Sequence, residues 1–134
     1  MIVDTSAVVP WLIDTPFSPA ARKLKPVPTR APALILVEAT NALLKYLRAG
    51  RLTMIDVSVG IDSLRAALDE VVDDRHLLQS AMHIAAANHH KIYDCLYLAL
   101  AFERSEPFAS ADRRLYALAN TLGIETLFIE PSAA

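Results

Sequence analysis

The chain has 134 residues, 54% of them hydrophobic and only three of them glycine, so it is long and apolar enough to bury a core and too apolar for intrinsic disorder. A formal charge of −2 does not mark a nucleic-acid binder by bulk electrostatics, so any work on a polyanion would need bound cations and local basic patches. One cysteine, Cys95, leaves no internal disulfide and suits a reducing cytoplasm; charges interrupt every apolar run, so we expect neither a membrane span nor a secretory leader.

Ile2-Val3 reads as a buried strand ending at Asp4. Thr5-Ser6 supply cap chemistry for a short helix over Ala7 to Ile13. Five prolines between Pro16 and Pro32 punctuate the next stretch, which allows a helix over Ser18 to Leu24 and otherwise loop or edge strand. Ala33 to Ala49 is the clearest long helix, with Gly50 placed to stop it. Thr53 opens a second helix running to about Glu70, and Val71-Val72 follows as a short extended piece. Asp74 to about His89 has helical apolar spacing, as does Asp94 to about Glu103, which is apolar on most sides. Pro107 to Ser110 reads as a strand, Asp112 to Leu122 as a helix stopped by Gly123, and Glu125 to Ile129 as the last strand. There is no repeat and no linker, so we expect a single domain over 1–134. Short strands alternating with helices predict an α/β fold whose parallel sheet is covered by helices on both faces. Sites in such sheets form beyond the carboxyl ends of the strands, where Asp4 and Asp112 are placed.

Four acids stand out. Asp4 and Asp112 each follow a strand and precede a helix, and each also suits a helix cap. Glu38 lies in the apolar run Leu34-Ile35-Leu36-Val37-Glu38-Ala39, although Asn41 and Lys45 share its helix face and make a solvated stripe an alternative. Asp94 begins the most apolar helix, where the macrodipole would also favour it as a cap. Together they form a set of hard oxygen donors, the kind Mg²⁺ and Mn²⁺ prefer. Carboxylates brought close repel one another unless a cation lies between them. Ser6 and Ser110 neighbour these acids and suit an orienting role, or plain turn bonding. Arg113 and Arg114, beside Asp112, are the best-placed basic residues for phosphate; the groups Arg22/Lys23/Lys25 and Lys45/Arg48/Arg51 read as solvated faces.

Four segments carry a resemblance. Met1-Ile2-Val3-Asp4-Thr5-Ser6-Ala7 resembles the opening strand and first acid of PIN domains; Glu38-Ala39-Thr40-Asn41-Ala42-Leu43 resembles their second motif; Tyr93-Asp94-Cys95-Leu96-Tyr97-Leu98-Ala99 resembles the third, and Ser110-Ala111-Asp112-Arg113-Arg114-Leu115 the fourth. Order and spacing match from residue 1 to about 130, and the layout is similar to the VapC toxins of bacterial toxin–antitoxin pairs. The resemblance implies a three-layer α/β/α sandwich with a short-stranded, mostly parallel central sheet. It also implies Mg²⁺- or Mn²⁺-dependent endoribonuclease activity, with Asp4, Glu38, Asp94 and Asp112 as metal-binding and catalytic residues and activated water cutting the phosphodiester. An RNA substrate, a cognate antitoxin and a homodimer come with it. Many relatives carry a further acid after the fourth motif. Tyr116 occupies that neighbourhood here, which implies a second metal bound weakly or only with RNA present.

Two other readings remain open. A strand-terminal aspartate also suits phosphoryl-transfer α/β enzymes, although Asp4-Thr5-Ser6 lacks their usual Asp-x-Asp. A catalytically weak module binding protein or nucleic acid would keep the fold without the chemistry. His76, His83, His89 and His90 show no zinc spacing and read as surface or helix-end residues; Cys95 reads as a buried thiol, and Trp11 with the Leu43-Leu44-Tyr46-Leu47 group as core or groove lining.

Overall fold

The computed structural model describes residues 1–133. Five short strands, β1 (Ile2–Val3), β2 (Arg30–Pro32), β3 (Glu70–Val72), β4 (Phe108–Ser110) and β5 (Thr126–Phe128), form one sheet in the order β3-β2-β1-β4-β5. Every pairing is parallel, so the sheet is wholly rather than mostly parallel. Ile2, Val3, Phe108, Ala109 and Ser110 are fully buried, as a strand covered on both faces requires.

The helices are α1 (Thr5–Leu12), α2 (Ser18–Arg22), α3 (Leu34–Arg48), α4 (Met54–Ala67), α5 (Leu78–Asn88), α6 (Ile92–Arg104) and α7 (Arg113–Thr121). Helices α1 to α4 pack on one another, and α5 packs on α6, which also crosses β1 and β2, giving the three-layer α/β/α arrangement. Helix α6 is the central one, with Cys95 to Ala101 buried without interruption. Trp11 is core too; its indole Nε1 donates to the Ala21 carbonyl at 2.7 Å and ties α1 to α2.

Several elements differ from the sequence expectation. The segment ending at Pro32 is not loop or edge but an interior strand between β1 and β3. Proline is tolerated there because Ile2 pairs with Arg30, so Pro32 extends past the end of β1 and its missing N–H removes no ladder bond on that side. The expected helix from Asp74 is a 3-10 turn (Arg75–Leu77) followed by α5. The cap of α1 is Asp4, one residue earlier than the expected Thr5-Ser6. Thr53 does cap α4, through a reciprocal capping box with Asp56. Between α5 and α6 the chain reverses at His89, whose left-handed backbone (φ 50°) does the work usually left to glycine.

Candidate functional site

The chain leaves β1 for β2 and β3, then crosses to β4 and β5, so the direction of winding switches between β1 and β4. A crevice at the carboxyl end of the sheet is expected at such a point. The helices run back against the strands, so their N-terminal turns gather at the same edge. Ile2 pairs with Phe108 and Val3 with Ala109, and that register sets Asp4 beside Ser110.

Asp4 is 4% exposed. Its Oδ1 accepts from Ser6 Oγ at 2.6 Å and from the Ala7 amide at 3.1 Å, and its Oδ2 accepts from Ser110 Oγ at 2.5 Å. Each serine spends its one proton on Asp4 and accepts an amide from the turn after β4, Ser6 from Ala111 at 2.8 Å and Ser110 from Asp112 at 3.0 Å. Burial pushes the Asp4 carboxyl up to about 7; the hydrogen bonds pull it down by less, and the nearby charge of Asp112 adds to the rise. Desolvation therefore outweighs three hydrogen bonds.

Asp112 is exposed and caps α7, its Oδ1 accepting from the Arg114 and Leu115 amides at 2.9 and 3.1 Å. Glu38, in the second turn of α3, accepts on one oxygen, Oε1, from Thr5 Oγ1 at 3.1 Å and from the Tyr97 hydroxyl at 2.5 Å. Tyr97 is 1% exposed, and burial followed by the Glu38 charge holds its hydroxyl far above the usual phenol value. Asp94 is not a cap: Lys91 occupies that position, and Asp94 sits in the first turn of α6. Its Oδ2 bonds to His90 Nε2 at 2.7 Å.

The fold thus joins Asp4 and Asp112 through Ser110, joins Glu38 to the segment of Asp4 through Thr5, and sets Asp94 one helical turn from Tyr97. Among the described residues, no three Asp, Glu, His or Cys side chains stand close enough to hold one ion between them. One or two carboxylates completed by water and a substrate phosphate are, however, the usual surroundings of Mg²⁺. The donors fit such a cation: all are hard oxygens, and Glu38, Asp94 and Asp112 each spend one oxygen on the protein and leave the other without a protein partner among the described residues.

At the amino edge two acids are paired with cations, while Asp69 accepts the Thr29 amide instead. Glu106 meets the Met1 amine and Arg30 at 2.6 and 2.8 Å, and Glu70 meets Arg104 at 2.8 Å. At the carboxyl edge, Asp4, Glu38 and Asp112 form no ion pair among the described residues and are held by hydroxyls and amides. Arg113 lies over the Phe128 ring at 4.6 Å, and Phe128 meets Tyr116 at 5.1 Å with the rings tilted by 57°. Tyr116 therefore belongs to an aromatic pair. Arg114 is exposed.

Sequence reasoning missed Thr5, Tyr97 and His90 as residues that grip the acids. Tyr97 follows Asp94 by three positions and so lies on the same helix face, a spacing signal that was available. His90 gave none, because a left-handed residue and an extended Lys91 break the helix around it. It is not an ordinary helix-end residue: its side chain is 6% exposed against Asp94. Cys95 is buried, and burial then Asp94 push its thiol up to about 11, so it is no nucleophile near neutral pH.

The PIN domain family model matches residues 1–120. No curated protein matches the sequence. Among solved structures, PAE2754 from Pyrobaculum aerophilum superposes with a TM-score of 0.69 at 22% identity, covering 93% of this chain and 81% of its own. The sarcin-ricin loop cleaving toxin VapC20 of Mycobacterium tuberculosis gives 0.69 at 16% identity, covering 87% and 92%. FitAcB from Neisseria gonorrhoeae gives 0.65 at 14% identity, covering 94% and 95%. These likenesses are of fold.

Proposed function

The chain belongs to the PIN-domain family, and on that premise we propose that it is a metal-dependent endoribonuclease, the toxin of a toxin–antitoxin pair. The observation that carries the reading is Asp4, a buried carboxylate at the carboxyl end of the sheet that only hydroxyls and an amide hold, with no ion pair among the described residues. Burying a carboxylate without a cation costs stability and is poorly explained as a structural device. Asp4, Glu38, Asp94 and Asp112 hold Mg²⁺ or Mn²⁺, one or two carboxylates to an ion. When bound, such a cation lowers the pKa of water and neutralises charge on the phosphate.

The chain's own residues set the stage. Ser6 and Ser110 fix both oxygens of Asp4, Thr5 and Tyr97 fix one oxygen of Glu38, and His90 fixes one of Asp94, so the remaining lone pairs point in set directions. Arg114, with Arg113, holds the phosphate backbone beside Asp112. RNA is favoured over other phosphodiesters by the shared fold of VapC20, which cleaves the sarcin-ricin loop. The same likeness supports a cognate antitoxin as partner, and with it a homodimer working in the cytoplasm. No helix among the described residues is long and apolar enough to cross a membrane.

Asp94→Asn tests the reading, since it keeps the shape of the side chain and removes its charge. Cleavage of total RNA in Mg²⁺ or Mn²⁺ should fall by about 100-fold or more while the circular dichroism spectrum stays unchanged. Undiminished cleavage by the folded variant removes Asp94 from the chemistry. Calorimetric titration with Mn²⁺ separates the nuclease from a binding module of the same fold, which would take up no metal with or without RNA.

A further inference from the structure

Next to the acid edge lies an open apolar cavity of about 490 Å³, within the range of small-molecule sites. Its walls are Val9, Pro10, Phe17, Ala42 and Tyr46, and its floor is continuous with Thr5, Ser6 and Ala111. Two of them touch the acids and the third supports one of those: Thr5 bonds Glu38, Ser6 bonds Asp4, and the Ala111 amide bonds Ser6. The cavity is therefore the compartment beside the reacting phosphate. It is too apolar for a phosphate group, yet its rim is cationic. Lys45 lines it, two turns along α3 from Glu38 on the same helix face, and the Arg51 guanidinium lies 5.1 Å from the centre of the Tyr46 ring.

We propose that this cavity takes one unstacked nucleobase of the RNA, next to the bond that is cut. The inference rests on the nuclease reading above. An aromatic ring and an apolar floor offer a base its π-face, while Lys45 and Arg51 meet the phosphates that flank it. A base in a duplex is stacked on both sides and cannot enter; bases in loops and single strands can be splayed out.

The test is binding of fluorescein-labelled oligo(A), oligo(C) and oligo(U) to Asp94→Asn protein, beside an abasic ribose-phosphate oligomer of equal length, by anisotropy in Mg²⁺. At least one homopolymer should bind about tenfold tighter than the abasic chain, the value of one stacked base. Adding Ala42→Met, which fills the cavity, or Tyr46→Ala, which removes the ring, should erase that difference and leave abasic binding unchanged. Two variants of opposite design keep the test valid if one of them folds poorly. Equal binding of based and abasic chains, or a difference that survives both substitutions, overturns the proposal. So does base discrimination kept by an Ala42→Met protein whose sedimentation reports a dissociated dimer, since the cavity is then a contact between copies. Failure of the nuclease reading shows separately, as wild-type protein that leaves total RNA uncut in Mg²⁺ or Mn²⁺, and leaves the binding comparison intact.

Discussion

Asp4 is a carboxylate kept from water by the strand it ends and held by neutral donors alone. Its folded value of about 7 lies above the ordinary 3.8. Between those limits the folded chain retains a proton that the unfolded chain has released, so the contribution of Asp4 to stability is fully present below pH about 4 and is lost as pH rises through 7. The decline in metal-free protein should amount to at most ~4 kcal/mol, a shift of about three units at 1.36 kcal/mol each. Urea melts in EDTA across that window measure it, and Asp4→Asn should flatten the curve and raise stability at neutral pH. A divalent cation binds the ionised form and offsets the same penalty, so Mn²⁺ should stabilise wild type and stabilise Asp4→Asn less. A flat wild-type curve would mean that Asp4 is better solvated than its 4% exposure indicates. Tyr97 makes a second case at this scale. Tyr97→Phe leaves Thr5 on Glu38 and removes only the hydroxyl, so metal affinity or activity should drop about 10- to 100-fold while the melting midpoint moves little.

Among the elements, α3 positions Glu38, and its start is fixed from outside. Ala33 supplies no side-chain cap; the Leu34 amide donates to Asp74 Oδ2 at 2.9 Å, forty residues away in sequence. Asp74→Ala should therefore cost about 1 kcal/mol in a denaturant melt, the usual worth of a cap, and Asp74→Asn should restore most of it. The local sequence puts Asp74 at the head of its own helix, because capping by a distant side chain has no local signature. The same reason limits the rest. The 15 residues of α3, the Thr53 capping box and the buried α6 were all legible, since periodicity and caps are local. The interior place of β2 was not, because a proline at the end of a three-residue strand forbids it only if its neighbour reaches that far, and β1 does not. The four acids were visible as an ordered set of motifs. The hydroxyls that grip them were visible only once register and helix direction were known.

Over the whole molecule, 15 acids and 13 basic side chains give a net −2, but the signs are not mixed evenly. The arginines Arg30 and Arg104 are spent on Glu106 and Glu70 at the amino edge, and Arg113 is laid on Phe128. A polyanion approaching the carboxyl edge meets unneutralised acids first, so its binding must depend on cations that fill that edge and on the few free basic side chains around it. Arg114 is exposed and its side chain forms no hydrogen bond or ion pair among the described residues, which makes it the cleanest probe. Arg114→Ala should weaken single-stranded RNA binding to a similar degree for every sequence. It should also reduce the steepness of log affinity against log salt by about 0.7, the share of one phosphate contact on a single strand. Arg113→Ala should do the same and also cost stability, through the ring it covers. The comparison is read by anisotropy at a series of salt concentrations with Mg²⁺ held constant. An unchanged slope in Arg114→Ala would move the phosphate path away from α7 and toward Lys45 and Arg51.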